Sequence, residues 1–133
     1  MTNDKTNSRQ LFDVDAKPQG LKRLYLASQN SARALQWLFK NEAAFKQECA
    51  VLCLAVPVTF LLNITLIEQI ILLAAILFVI LCEIVNTAIE VIVDRISLEI
   101  HPLSGLAKDL GSAVVSVSIL LALLVWTIIC IGQ

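Results

Sequence analysis

Residues 68–94 read EQIILLAAILFVILCEIVNTAIEVIVD: a charge-free run over 69–82, then an apolar pattern interrupted by Glu83, Asn86, Thr87, Glu90 and Asp94. Counted from Glu83, the others follow at offsets of 3, 4, 7 and 11 residues. That spacing puts all five within about a 100° arc of a helix with ~3.6 residues per turn. One face is a polar stripe and the rest is Ile, Leu, Val and Ala, which suits a helix whose solvent is lipid.

Charge-free runs also cover 49–67 (19 residues) and 110–133 (24 residues), against the roughly 20 residues that cross a bilayer as a helix. With 58% hydrophobic residues and a mean hydropathy of +0.81, the chain exceeds the apolar content of soluble domains. The reading is an all-α integral membrane protein with a three-span domain over 49–133. Its spans are expected at about 48–67, 68–94 and 104–131, the last with Ser104 as N-cap. The pairs Ala107/Gly111 and Ser112/Ser116 form a small-residue stripe suited to close helix packing.

The net charge is only −1, but all ten Lys and Arg lie before residue 47 or between 95 and 108. By the positive-inside rule, the N-terminus and the second connection are cytoplasmic, and the 63–68 connection and the C-terminus lie outside. Residues 1–19 read as a flexible polar tail with no apolar core for a cleaved signal. Residues 20–48 read as a surface helix and lead-in, with a break near Asn41. Leu21, Leu24, Tyr25, Ala32, Leu35, Leu38 and Phe39 recur at helical spacing, while Lys22, Arg23, Arg33 and Lys40 take other faces. Such a basic amphipathic helix lies on the inner leaflet; the competing reading packs it on the bundle without lipid contact. Cys49, Cys53, Cys82 and Cys130 lack paired spacing and read as small apolar fillers. No nucleic-acid partner is expected.

A charge at the bilayer centre costs roughly 2.5–3.5 kcal/mol on insertion scales, so the acidic stripe needs a reason. Three are open: carboxylates at the cytoplasmic interface, a proton or cation path, or a catalytic site. Glu83, about two turns deeper than Glu90, is the hardest to explain structurally. A poorly solvated carboxylate is a stronger base than one in water, which suits general-base work.

Lys108 is expected in the first turn of span three, where the macrodipole disfavours a cation. Either Asp109 pairs with it, or a phosphate binds there on free N–H groups, the Ser104-Gly105 turn and the lysine. Glu42 is either a solvated helix-end charge or, with Glu90, half of a carboxylate pair for Mg2+. His101 reads as a loop histidine rather than a catalytic one.

Three blocks, NEAAFKQE (41–48), EIVNTAIEVIVDR (83–95) and LSGLAKDLGSA (103–113), resemble the prokaryotic diacylglycerol kinase family, and the likeness runs from about 21 to 131. It implies a homotrimer of three-span protomers, each with a surface helix, sharing active sites between subunits in the bacterial inner membrane. It implies transfer of the ATP γ-phosphate to the primary hydroxyl of diacylglycerol. Matched positions make Glu83 the catalytic base and Glu42 and Glu90 the Mg2+ ligands. Arg23, Ser31, Glu42, Asn86, Glu90, Lys108 and Asp109 would contact ATP, and Glu83 and Ser112 the lipid. Two positions depart from the pattern. Leu106 stands where the family usually has Arg, and Pro102 where an acidic residue is common. An undecaprenol kinase is the alternative within the family, although residues 41–48 favour the diacylglycerol type. A small proton-coupled transporter is the alternative outside it; that accounts for Glu83 but not for Lys108, Asp109 or Glu42.

Overall fold

The structure, a computed structural model, describes residues 20–96 and 101–132. The tail expected over 1–19 and the middle of the second connection lie outside the described residues. Four helices make up the described chain: α1 (Gly20–Asn41), α2 (Ala43–Leu61), α3 (Leu66–Ile96) and α4 (Pro102–Ile131). The last three are each long and apolar enough to cross a membrane, as the charge-free runs predict.

The chain divides into two compact units, the first ending at Trp37 and the second starting at Leu38. In the first, Gly20 opens α1 at φ 63°, a left-handed conformation that costs glycine no Cβ clash. Leu21, Leu24, Tyr25 and Leu35 of the amphipathic pattern are exposed.

The second unit begins with the last turn of α1, where Leu38 is buried. The expected break falls at Glu42, whose backbone is extended at φ −100° and ψ 117°. Lys46 Nζ then reaches back to the Lys40 carbonyl at 3.3 Å, satisfying an acceptor that the end of α1 leaves free.

Three helix boundaries differ from expectation, and capping accounts for the two helix starts. α2 stops at Leu61 rather than near 67, and α3 starts at Leu66 rather than Glu68. Glu68 Oε2 accepts from Thr65 N at 2.8 Å and from Thr65 Oγ1 at 2.7 Å, while Glu68 N donates to Thr65 Oγ1 at 3.3 Å. This is a capping box, which satisfies first-turn donors and places Glu68 inside the helix. α4 starts at Pro102, not after Ser104: His101 is the N-cap, its Nδ1 accepting from Leu103 N at 3.2 Å. Pro102 then occupies a position whose N–H has no helical partner in any case. One departure from the family pattern is thus a helix start.

α3 packs against both α2 and α4. Its buried face runs Leu72, Ile76, Val79 and Cys82, then Glu83, Asn86 and Thr87. The same face is therefore apolar core at one end and polar at the other. The apolar end is tied by two polar contacts. Gln69 Nε2 donates to the buried Thr59 Oγ1 at 3.0 Å, and Trp126 Nε1 donates to the Leu72 carbonyl at 3.2 Å.

Helix lengths position the polar end. α3 has 31 residues, about 46 Å at ~1.5 Å per residue, whereas the hydrocarbon core is ~30 Å thick. Counted from Leu66, the hydrocarbon is used up near Val85. Glu83 then stands at its edge, and Glu90 and Asp94 stand roughly 7 and 13 Å beyond it. Counted back from Ile131, α4 leaves the core near Ser112, so Lys108 projects past the same boundary. α2, with 19 residues, is about 28 Å long and only just matches the core, which leaves Glu42 at the edge as well.

Candidate active site

Glu83 is only 6% exposed, and Asn86 and Thr87 beside it are equally enclosed. Asn86 Nδ2 donates to Glu90 Oε1 at 3.1 Å, one turn further along α3. The other end of that amide, Oδ1, lies against Gly111 of α4 so closely that a Cβ there would collide with it. Gly111 thus lets the α4 backbone approach the amide that orients Glu90.

Glu83 lies within electrostatic range of both Glu42 and Glu90, and Glu48 within range of Glu83. The start of α2 and the polar stripe of α3 therefore gather four carboxylates at one end of the bundle. Like charges in a poorly solvated place repel strongly, so such a cluster calls for protons or cations. Among the described residues, no three His, Cys, Asp or Glu side chains are grouped to hold a metal by themselves. A pair of carboxylates completed by substrate phosphates is the usual donor set for Mg2+, and Glu42 and Glu90 are each within range of Glu83.

Glu48 Oε2 and Asn86 Oδ1 are buried and accept no hydrogen bond from any described residue. An unmet buried acceptor costs about 1–3 kcal/mol; the Asn86 oxygen is covered by Gly111, whereas Glu48 is placed where a ligand could bring a donor. Glu48 also borders an apolar cleft of about 560 Å³, lined by Val51, Ala55, Val79, Ile119 and Trp126 among others. It is the one charged residue among the described residues that line this cleft.

Lys108 Nζ lies 2.6 Å from Asp94 Oδ1. Of the two readings of this lysine, pairing with Asp109 is overturned: its partner comes from α3, and Asp109 is exposed. The macrodipole argument weakens too, because α4 starts earlier than expected and places Lys108 beyond the first turn, where the dipole has faded. The phosphate reading loses the Ser104-Gly105 turn, which lies inside α4 with Gly105 N donating to the His101 carbonyl at 3.0 Å, and keeps only the lysine, whose side chain is 40% exposed.

The structure thus brings together Glu42, Glu83, Asn86, Glu90 and Lys108. Ser112 is exposed on α4 and its carbonyl accepts from Ser116 Oγ at 3.0 Å. The small-residue stripe accordingly splits: Gly111 is buried and Ala107 half-buried, whereas Ser112 and Ser116 are exposed. Arg23 and Ser31 belong to the N-terminal unit, both exposed, with Ser31 Oγ bonded to the Ala27 carbonyl at 3.1 Å. Glu48, Asp94 and Gly111 carry more of the site's geometry than their sequence context suggests. The one early sign for Glu48 is its place as the charge abutting the 49–67 run.

Fold and site define a helical integral membrane protein whose ionisable groups converge where its spans leave the hydrocarbon. The chain belongs to the prokaryotic diacylglycerol kinase family, whose model matches residues 29–130. It is 43% identical over 110 residues to the diacylglycerol kinase of Haemophilus influenzae, covering 83% of this chain and 93% of that one. To the diacylglycerol kinase of Escherichia coli it is 41% identical over 110 residues, 83% and 90% of the two chains. To that of Pseudomonas aeruginosa it is 40% identical over 113 residues, 85% and 92% of the two.

Proposed function

We propose that this chain is a diacylglycerol kinase, transferring the γ-phosphate of ATP to the primary hydroxyl of 1,2-diacylglycerol to give phosphatidic acid and ADP. The observation that carries the reading is Glu83, buried at the hydrocarbon edge within range of Glu42 and Glu90. A lipid hydroxyl reaches this depth while its acyl chains stay in the bilayer.

Glu83 takes the hydroxyl proton as the oxygen bonds to the γ-phosphorus, and the bond from phosphorus to the β,γ-bridging oxygen breaks to release ADP. Glu42 and Glu90 would hold Mg2+ together with the nucleotide, and the ion would supply the charge neutralisation that phosphoryl transfer needs most. Asn86 holds Glu90 in place. Lys108 faces phosphate, with Asp109, Arg23 and Ser31 contributing nucleotide contacts and Ser112 a lipid contact. The cleft beside Glu48 takes an acyl chain.

Exposed apolar side chains such as Leu54 and Phe60 on α2 and Leu120 and Leu124 on α4 have either lipid or another copy to cover them, which suits a homotrimer with sites shared between subunits. The charge distribution supports an inner-membrane protein with a cytoplasmic N-terminus and an outer C-terminus.

Purified protein in detergent micelles with γ-labelled ATP tests the reading. Mg2+-dependent label should enter phosphatidic acid, and more slowly an undecaprenol substrate. Faster phosphorylation of undecaprenol would overturn the lipid assignment. Absence of any labelled lipid would favour a proton-coupled transporter, which needs a sealed membrane to act.

A further inference from the structure

We infer that Asp94 is a positioning residue for the phosphate-facing lysine: it holds the Lys108 ammonium off Glu90 and presents it to the nucleotide. The inference rests on the kinase reading and extends it to a residue outside the metal and base set.

The Lys108–Asp94 pair is short, 2.6 Å between Nζ and Oδ1, as expected of a charge-assisted bond. Its side chains are 40% and 57% exposed, and so exposed a pair adds little to folding. Its consequence is where it keeps the ammonium. Lys108 also lies within electrostatic range of Glu90, one turn deeper on the same face of α3. Glu90 already accepts from Asn86 at 3.1 Å and is the carboxylate assigned to the metal.

A lysine is a compact charge on a flexible four-carbon stem and settles on whichever anion is closest. With Asp94 neutralised, the next anion on that face is Glu90. An ammonium there would cancel the charge meant for Mg2+ and would leave the outer phosphate position without a cation. With Asp94 in place, the ammonium waits at the exposed rim, where a polyphosphate competes well against a single carboxylate. The same α3–α4 register brings Gly111 close to Asn86.

The test uses the full chain in micelles and compares wild type, Asp94→Asn, Asp94→Glu, Lys108→Met and the double variant Asp94→Asn/Lys108→Met. Binding of the β,γ-methylene analogue of ATP with Mg2+ is measured, together with KM for Mg-ATP and for diacylglycerol in the variants that turn over. Asp94→Asn should weaken analogue binding and raise KM for Mg-ATP by about tenfold, leave KM for diacylglycerol unchanged, and add nothing in the Lys108→Met background. Asp94→Glu should recover most of the loss. Additive losses in the double variant, or an equal rise in the lipid KM, would overturn the inference and make the pair a structural tie. Wild-type protein that makes no phosphatidic acid would remove the kinase reading and this inference with it, a result distinct from active wild type with additive variants.

Discussion

The side-chain amide of Asn86 is held at both ends: its nitrogen donates to Glu90 at 3.1 Å, and its oxygen rests on Gly111 of the neighbouring helix where no Cβ fits. Gly111→Ala therefore separates site geometry from folding. Alanine gains up to about 1 kcal/mol of helix propensity over glycine, which offsets part of the cost of displacing the amide. The thermal inactivation midpoint should stay near that of wild type. The displaced amide no longer orients Glu90, so kcat/KM for Mg-ATP should fall by about tenfold or more. Unchanged kinetics would reduce the contact to packing alone.

Glu83→Gln keeps shape and hydrogen-bonding capacity but cannot take a proton. Turnover should drop by about 10²- to 10⁴-fold, the usual range for a lost general base, with nucleotide affinity little altered. Stopped-time assays alongside analogue binding give both numbers. A variant with wild-type kcat would move the base elsewhere, with Glu48, also within range of Glu83 and not assigned to the metal, the first to test.

Glu42→Gln and Glu90→Gln should each raise the Mg2+ concentration for half-maximal activity, because each removes one of two carboxylates that work with the phosphates. The increase should be about tenfold or greater and should lessen when Mn2+, which binds such ligands more tightly, replaces Mg2+. If Mg2+ titrations of both variants overlay wild type, these residues do not hold the metal.

The membrane fold is legible from charge-free runs and the clustering of cations, because both are properties of composition along the chain. Helix ends are less so. The Thr65-x-x-Glu68 capping box is readable in principle, yet counting charges assigns Glu68 to a span boundary. The His101 cap depends on which way a ring nitrogen turns. In the site, the stripe from Glu83 to Asp94 follows from periodicity alone. The Lys108–Asp94 pair does not, since it joins residues 14 positions apart through the antiparallel register of α3 and α4. Glu48 escapes notice for a similar reason. Its meaning depends on how α2 is rotated against α3, and no spacing within α2 encodes that.

Trp126 on α4 bears on both packing and lipid choice. Its indole N–H donates to the Leu72 carbonyl at 3.2 Å, and its ring lines the cleft that runs along α2 past Glu48. Trp126→Phe removes the donor and keeps most of the ring. Stability in detergent should fall by about 0.5–1.5 kcal/mol, while the preference among diacylglycerols of different chain length stays as in wild type. Trp126→Ala also empties the end of the cleft. If an acyl chain lies there with its hydroxyl end toward Glu48, the longer space should shift the fastest substrate to chains a few carbons longer. Rates with a chain-length series read this directly. A Trp126→Ala profile identical to that of Trp126→Phe would place the acyl chain outside the cleft, leaving the indole as a tie between α3 and α4.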